Sequence, residues 1–138
     1  FDERLRGFEH AARRYGLDLA HFPTFYGDMT RESGYKVAGK LIETKPCAVF
    51  SLNDRMALGI MDWAAENGLE IPRDLSLIGY DDIPDASFYK LTTVCQPAVE
   101  MGKEAVHLLF RLIEGGSAPS RIVTPALLVE RATTHRIG

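Results

Sequence analysis

The chain has 138 residues, of which 46% are hydrophobic and 25% charged, so it suits one globular domain and is too apolar to be disordered throughout. No apolar run approaches the roughly 20 residues that a membrane-spanning helix needs. Sixteen Lys and Arg against 19 Asp and Glu give a net charge of −3, which argues against a protein that grips nucleic acid by bulk charge.

Two cysteines, Cys47 and Cys95, lie in apolar strand-like runs, so we expect buried, reduced thiols in a reducing compartment. Neither the cysteines nor the four histidines show the spacing of a metal site, and no cofactor-binding motif occurs. We therefore expect neither a metal nor a cofactor. The chain opens at Phe1 without an initiator Met or a signal peptide, and we expect a piece of a longer protein.

In chain order, the first predicted element is a helix over about 2–15, where apolar residues recur at spacings of three and four. The short run Leu19–Phe25 predicts a strand, and a second helix is expected over about 31–44. Cys47–Ser51 is apolar without alternation, which is typical of a parallel strand covered on both faces. The inward faces of the two helices are expected to carry Leu5, Phe8, Ala12 and Tyr15, then Tyr35, Ala38, Leu41 and Ile42.

In the second half, Asp54 is the expected N-cap of a third helix over about 55–67. Strands follow at Leu75–Tyr80 and Thr92–Cys95, and a long amphipathic helix is expected over about 98–114. The buried stripes of these two helices are expected to be Met56, Ile60, Trp63 and Ala64, then Val99, Val106, Leu109 and Ile113. Two short final strands are predicted over Arg121–Val123 and Leu127–Glu130.

The alternation of helices and strands predicts an α/β fold, with a mostly parallel sheet flanked by helices. In such sheets ligands bind beyond the carboxyl ends of the strands. Polar residues follow three of the predicted strands, namely Gly27-Asp28-Met29, Ser51-Leu52-Asn53-Asp54 and Gly79-Tyr80-Asp81-Asp82. We expect a binding site where these three stretches meet.

The polar strand ends leave an acid–base pair and a binding site open as alternatives. Asp81 and Asp82 could serve as general acid and base, but neighbours on an extended segment point in opposite directions unless the chain turns sharply. They could also be a cap and a turn residue. One of Asn53 and Asp54 is expected to cap the following helix while the other points into the crevice. Arg4, Asn53 and Asp81 offer donors and acceptors that suit sugar hydroxyls or a base edge, although Arg4 alone could be a solvated charge.

No nucleophile, phosphate-binding or metalloprotease motif occurs in the chain, so we expect a binding protein and not an enzyme.

Short motifs then follow one another along the chain: Arg4-Leu5-Arg6-Gly7-Phe8, Glu32-Ser33-Gly34-Tyr35, Asn53-Asp54-Arg55-Met56-Ala57-Leu58-Gly59, Ile71-Pro72-Arg73-Asp74-Leu75-Ser76-Leu77-Ile78-Gly79-Tyr80-Asp81-Asp82, Leu91-Thr92-Thr93-Val94, Gln96-Pro97, Met101-Gly102 and Leu128-Val129-Glu130-Arg131. Each is weak alone. In this order, from Arg4 to about Thr134, they resemble the lactose-repressor (LacI/GalR) family of bacterial transcription regulators.

This resemblance implies a periplasmic-binding-protein-like (type I) fold, with two α/β subdomains hinged around a small-molecule effector, of which this chain holds an incomplete, C-terminal portion. It implies a C-terminal subdomain over about 1–94, a crossover into the N-terminal subdomain over about 95–123 and a return segment over about 124–138. The effector, most simply a sugar, would contact Arg4, Met29, Asn53, Asp81 and Gln96. Met29 stands where many members place an aromatic ring.

The resemblance also implies a cytoplasmic homodimer in which Leu58, Phe88 and Tyr89 lie between subunits. Operator DNA would be bound only through an N-terminal helix-turn-helix, which has no counterpart in this chain. Two alternatives remain at this point: a periplasmic sugar-binding receptor of the same fold, and a cytosolic enzyme that uses Asp81 and Asp82.

Overall fold

The computed structural model describes residues 2–18 and 22–135, which form five helices and four strands. The predicted and observed elements agree closely for most of the chain. In chain order the elements are α1 (Asp2–Arg14), α2 (Arg31–Glu43), β1 (Ala48–Phe50), α3 (Asp54–Glu66), β2 (Ser76–Asp81), α4 (Pro84–Phe88), β3 (Thr92–Cys95), α5 (Ala98–Ile113) and β4 (Leu127–Val129).

The four strands form a single sheet in the order β1-β2-β3-β4. The first three are parallel, and β4 pairs antiparallel with β3. Val49 lies opposite Leu77, and Gly79 lies opposite Thr93. The prediction of an α/β fold with a mostly parallel sheet is therefore confirmed, and the carboxyl ends of β1, β2 and β3 meet at one edge.

Helices α2 and α3 pack backbone to backbone, because glycines occupy their contact points. A Cβ atom on Gly59 would lie 2.0 Å from the carbonyl oxygen of Arg31, and one on Gly34 would lie 2.1 Å from that of Met56. No other residue fits at either position without a shift of a helix. The contact fixes the N-terminus of α3, from which the polar residues after β1 project.

The core lies between these helices and the sheet. Its largest fully buried apolar side chains are Leu58, Leu75, Leu77 and Leu91. Thr133, near the end of the sequence, is buried beside this core. Its hydroxyl donates to the Leu77 carbonyl at 2.7 Å and accepts from the Thr92 amide at 2.8 Å. This buried threonine anchors the segment after β4 between β2 and β3.

Two predicted strands are not found among the residues that the structure describes. Residues 22–25 have no strand conformation, and residues 19–21 of that prediction lie outside the described residues. Arg121–Val123 is also irregular, so the prediction of a strand there is wrong. Leu19–Phe25 includes Pro23, and Arg121–Val123 lies one residue from Pro119 and one from Pro125. Proline cannot donate to a strand ladder, and apolar character alone does not create a strand.

The inward face predicted for the last helix is exposed. No residue of α5 is buried, and Val99, Val106, Leu109 and Ile113 are between 50% and 69% exposed. Tyr15 is likewise 85% exposed and Tyr35 36%, which corrects two further predictions of buried residues. The helix forms as its periodicity predicts, but the described part of the chain buries no residue of this face of α5.

The cysteines also differ from the prediction. Cys47 is exposed, and Cys95 is partly exposed, so neither is a buried thiol. Cys47 immediately precedes the first strand of the sheet, at an outer position with no strand beyond it. Partial desolvation, together with the nearby Asp82 carboxylate, raises the pKa of the Cys95 thiol and keeps it protonated at neutral pH.

Candidate functional site

Arg4, Asp81 and Gln96 meet at the edge formed by the carboxyl ends of the parallel strands. Asp81 is the last residue of β2 and Gln96 follows β3, whereas Arg4 reaches over from α1. Arg4 Nη2 donates to Asp81 Oδ1 at 2.8 Å, and Gln96 Nε2 donates to the same oxygen at 2.6 Å. We call these three residues the Arg4 cluster.

Two further contacts hold the guanidinium in place. Arg4 Nη1 donates to the Leu52 carbonyl at 2.6 Å, and Arg4 Cζ lies 4.1 Å from the centroid of the Tyr80 ring. The Arg4 and Asp81 side chains remain 22% and 28% exposed, so the ion pair is accessible to a ligand. A planar donor with one face on a ring and its edge on a carboxylate is a fixed, charged wall of a cleft.

A sharp turn after β2 sends the two aspartates in different directions. Asp81 has φ 115° and Asp82 has φ 55°, both in the left-handed region that is rare for residues other than glycine. Asp82 therefore turns away from the Arg4 cluster and accepts from Arg131 Nη2 at 2.7 Å. The two carboxylates are held by different arginines, so the structure gives no support to a paired acid and base.

Arg131, which the sequence analysis did not single out, reaches this turn from beyond β4. Its Nη1 atom donates to the Leu91 carbonyl at 2.8 Å, and its backbone amide donates to Thr92 Oγ1 at 3.0 Å. The Arg131–Asp82 ion pair is well covered, with side chains 17% and 20% exposed. In the sequence motifs Arg131 occurs only as the last residue of Leu128-Val129-Glu130-Arg131, with no role predicted for it.

Asn53, rather than the predicted Asp54, is the N-cap of α3. Asn53 Oδ1 accepts from the Met56 amide at 2.9 Å, and Nδ2 donates to the Met29 carbonyl at 3.0 Å. Asn53 is only 3% exposed, so its principal contacts are to the protein. Met29, at φ 69°, is 43% exposed beside it.

Asn53 and Met29 therefore form a second group that adjoins the Arg4 cluster through Leu52. The polar stretch just before Met29 is used locally: the Asp28 carboxylate accepts from the Thr30 hydroxyl and amide, and these bonds lower its pKa to about 2. Thr30 in turn caps α2. Of the five residues predicted to contact an effector, Arg4, Asp81 and Gln96 are joined to one another by hydrogen bonds. The other two, Asn53 and Met29, form the adjoining group.

Asp54 is fully buried beneath the turn. Its Oδ1 atom accepts from the Thr93 hydroxyl at 2.5 Å and its Oδ2 atom from the Ile83 amide at 2.9 Å. Burial raises the pKa of this carboxyl, and the two hydrogen bonds oppose the shift. Asp54 was expected to be a helix cap, and the local sequence pattern does not reveal that it is buried.

The residues predicted for a dimer interface divide into two kinds. Leu58 is 1% exposed and belongs to the core of its own chain, which corrects the expectation that it lies between subunits. Phe88 is 81% exposed and packs edge to face on Tyr89 at a centroid distance of 5.2 Å. Arg31 stacks on Tyr89 and makes a bidentate ion pair with Asp62, with both N–O distances 2.6 Å.

A cavity of about 420 Å³ lies beside this aromatic pair and is lined by Thr30, Arg31, Arg55, Leu58, Ile83 and Asp85, among others. None of these residues belongs to the Arg4 cluster. Within residues 2–18 and 22–135, no group of His, Cys, Asp and Glu side chains is arranged to hold a metal ion. No helix in this part of the chain is long and apolar enough to cross a bilayer.

The chain is similar to the periplasmic binding protein-like domain and to several transcription regulators. Residues 1–134 match the family model described as a periplasmic binding protein-like domain. The HTH-type transcriptional repressor PurR of Haemophilus influenzae (strain PittEE) is 38% identical over 138 residues, covering 94% of this chain and 41% of the repressor. The chain thus spans well under half the length of this relative.

Solved structures agree in fold. A LacI family transcriptional regulator from Enterococcus faecium with bound ribose superposes with a TM-score of 0.84 at 30% identity, covering 98% of this chain and 52% of that one. The lac repressor dimer bound to operator and the anti-inducer ONPF has a TM-score of 0.84 at 31% identity, covering 95% and 46%. These similarities support the periplasmic-binding-protein-like fold that the sequence motifs indicated.

Proposed function

The chain belongs to the periplasmic binding protein-like domain family, and on this premise we propose that it is part of the effector-binding region of a LacI/GalR-family regulator, with the Arg4 cluster as one wall of the effector site. The observation that carries the proposal is the convergence of Arg4, Asp81 and Gln96, which lie up to 92 positions apart in the sequence. They meet at the edge of the sheet where ligands of α/β proteins bind.

The chemistry of the cluster suits a neutral, hydroxyl-rich ligand. Asp81 can accept hydrogen bonds from two adjacent hydroxyls, and Arg4 can donate to their oxygens. Arg4 and Gln96 both donate to Asp81 Oδ1 in this structure, so a hydroxyl that binds this oxygen exchanges one hydrogen bond for another. A sugar meets these needs best, and the edge of a nucleobase or nucleoside is the second class of ligand. The ribose bound to the Enterococcus faecium regulator supports the first class.

Met29 and Asn53 are assigned different parts of the same site. Met29 is 43% exposed, and we assign it to an apolar face of the ligand, where a thioether packs softly instead of stacking as an aromatic ring does. Asn53 holds the Met29 carbonyl, so its main contribution is to fix that wall. Its second amide hydrogen is the atom available to a ligand.

The whole protein is proposed to be a dimeric transcription regulator. Its relatives are repressors and regulators, which favours this role over the periplasmic receptor and over an enzyme. The exposed Phe88 and the Tyr89–Arg31 pair supply an aromatic and charged surface for a second copy. Operator DNA would be contacted outside these 138 residues, whose net charge is −3.

The proposed subdomain boundaries follow the packing of α5. The main core cluster is built from residues between Ala38 and Leu91, whereas α5 within the crossover of about 95–123 has no buried residue. We propose that this helix belongs to a second subdomain, and that the segment from about 124 onward returns to the first. Thr133, buried between β2 and β3, supports that return.

Calorimetry on the full-length protein tests the effector site. D-ribose is the first ligand, followed by other neutral monosaccharides and by nucleosides. Arg4→Ala and Asp81→Ala should each weaken binding by about 1–3 kcal/mol, because each leaves a polar group of the ligand unpaired. Arg73→Ala removes a similar but exposed Arg–Asp pair and serves as the control. Equal affinity in wild type and both cluster variants would remove these residues from the site.

A further inference from the structure

Asp54 is a buried carboxyl group without a charged partner. Its side chain is 0% exposed, and its two hydrogen bonds come from a hydroxyl and a backbone amide. In the described ranges 2–18 and 22–135, no Lys, Arg or His forms an ion pair with it. Burying a charge in this way is costly. Asp54 therefore calls for an explanation other than stability.

The contacts of Asp54 join three elements at one point. The residue begins α3, accepts from Thr93 in β3 and accepts from the Ile83 amide directly after the left-handed turn. Its carboxyl group also lies flat against β2, where a Cβ atom on Gly79 would be 2.1 Å from Oδ1. A single side chain thus fixes both the strand and the turn that carry Asp81.

We infer that Asp54 is a positioning residue for the effector site: it holds the turn after β2 so that Asp81 faces Arg4 and Gln96. This inference rests on the proposed function of the Arg4 cluster. Two consecutive residues in left-handed backbone are strained, and such a turn persists only when neighbouring contacts hold it. The bond to the Ile83 amide is the contact placed to do this, because Ile83 is the first residue beyond the strained pair.

The charges around Asp54 fit this role. Asp81 and Asp82 face it from the turn and, together with burial, raise its pKa. Arg4 and Arg131 each neutralise one of those two carboxylates, and Thr93 faces it from β3 without a charge. A carboxylate that accepts a backbone N–H makes a stronger bond than a neutral acceptor does.

Hydrogen exchange in the full-length protein, without any ligand, tests the positioning directly. Asp54→Ala should speed exchange of the Ile83 amide about tenfold or more, while the Leu77 amide within β2 stays protected. Asp54→Asn should restore most of the protection, because an amide oxygen can accept from Ile83 while its N–H group donates to Thr93. Asp74→Asn is the matched control: its carboxylate also accepts a backbone N–H, from Glu70, but it lies before the opposite end of β2.

A result in which Ile83 stays protected in Asp54→Ala, or in which Ile83 and Leu77 lose protection together, would overturn the inference. If Asp54→Ala does not fold, Thr93→Val removes one of the two bonds and should give a smaller increase at Ile83 with Leu77 unchanged. If exchange of the Ile83 amide is unchanged in Thr93→Val, this result would contradict the positioning role of Asp54.

Titration with D-ribose tests whether the positioning of the turn by Asp54 affects ligand binding. Asp54→Ala should weaken ribose binding about tenfold, and Asp54→Asn and Asp74→Asn should bind nearly as wild type does. If the wild-type protein binds no ribose but Asp54→Ala still speeds exchange of the Ile83 amide, ribose is excluded as the ligand and the positioning role of Asp54 stays supported. Normal ribose binding in a folded Asp54→Ala protein would contradict the positioning role of Asp54 but not the proposed effector site.

Discussion

Replacing Gly59 by Ala tests whether the contact between α2 and α3 sets the position of the candidate site. The new methyl group would lie 2.0 Å from the Arg31 carbonyl oxygen and 2.6 Å from the Tyr35 amide nitrogen. Both distances are far inside van der Waals contact, and both partners are backbone atoms that cannot rotate away. The helices must therefore move apart.

The expected loss of stability follows from two opposing effects. Alanine gains about 1 kcal/mol over glycine inside a helix. Overpacking of a close contact costs about 1–3 kcal/mol or more, and here rigid backbone stands on the other side. We expect Gly59→Ala to be less stable than wild type by about 2 kcal/mol. Gly39→Ala, in the same helix pair, should instead gain about 0.5–1 kcal/mol, because its methyl group would rest 3.5 Å from the Trp63 ring.

Urea unfolding of the two variants and the wild type measures both effects, with the midpoint and slope read separately. Opposite signs for the same substitution in one helix pair would support the close backbone contact. A Gly59→Ala protein as stable as Gly39→Ala would refute it, since the helices would then have room between them. Displacement of α3 should also weaken ligand binding, because α3 begins at the polar stretch after β1.

Four further outcomes are expected. Asp54→Asn should be more stable than wild type at neutral pH, because a raised pKa means that the folded protein disfavours the charged carboxylate and Asn carries no charge. The difference in unfolding free energy should disappear as the pH falls towards 3.8, and urea unfolding at several pH values measures it. Arg131→Ala should destabilise the protein by about 1–2 kcal/mol in the same assay, since Asp82 loses its cation. Phe88→Asp should weaken self-association in sedimentation of the full-length protein, and an unchanged dimer would place the interface elsewhere. Residues 1–138 alone should not retard DNA in a gel shift at physiological salt, and tight sequence-specific retention would contradict this.

Much of the fold could be predicted because local pattern and tertiary environment agree there. Continuous apolar runs are typical of parallel strands, and the predictions at Cys47–Ser51 and Leu75–Tyr80 each match a strand to within a residue at either end. The expectation that Cys47–Ser51 is covered on both faces is wrong, because no residue of β1 is buried. Helices α2 and α3 carry strong 3.6-residue periodicity and were placed equally well. By contrast, α4 is only five residues long, Pro84–Phe88, and has too few turns to show a period.

Burial was harder to predict than secondary structure. Leu58 was expected between subunits and lies in the core, while the apolar stripe of α5 was expected in the core and is exposed. Periodicity identifies which face of a helix is apolar, but not what covers that face. Asp54 was expected to cap α3, but Asn53 is the cap. Both side chains can cap a helix, and only the surrounding packing decides between them.

The Arg4 cluster could be anticipated only through the order of motifs. Nothing local connects Arg4 with Asp81, which lie 77 positions apart and meet because α1 and β2 reach the same edge of the sheet. The same holds for Arg131 and Asp82, 49 positions apart. Contacts of this kind depend on topology, and a single sequence reveals topology only where a known family supplies it.

The way the cluster is already paired determines how it can discriminate between ligands. A hydroxyl that replaces Arg4 or Gln96 on Asp81 exchanges one hydrogen bond for another, so its net gain is smaller than the roughly 0.5–1.5 kcal/mol that a hydrogen bond typically contributes. A ligand that covers the cluster without such a hydroxyl breaks the pairing or shields it from water, and an unpaired buried polar group costs about 1–3 kcal/mol. The cluster therefore rejects unsuitable ligands more strongly than it attracts suitable ones. Affinity must come mainly from apolar contacts such as that proposed for Met29, whereas selectivity comes from Arg4 and Asp81.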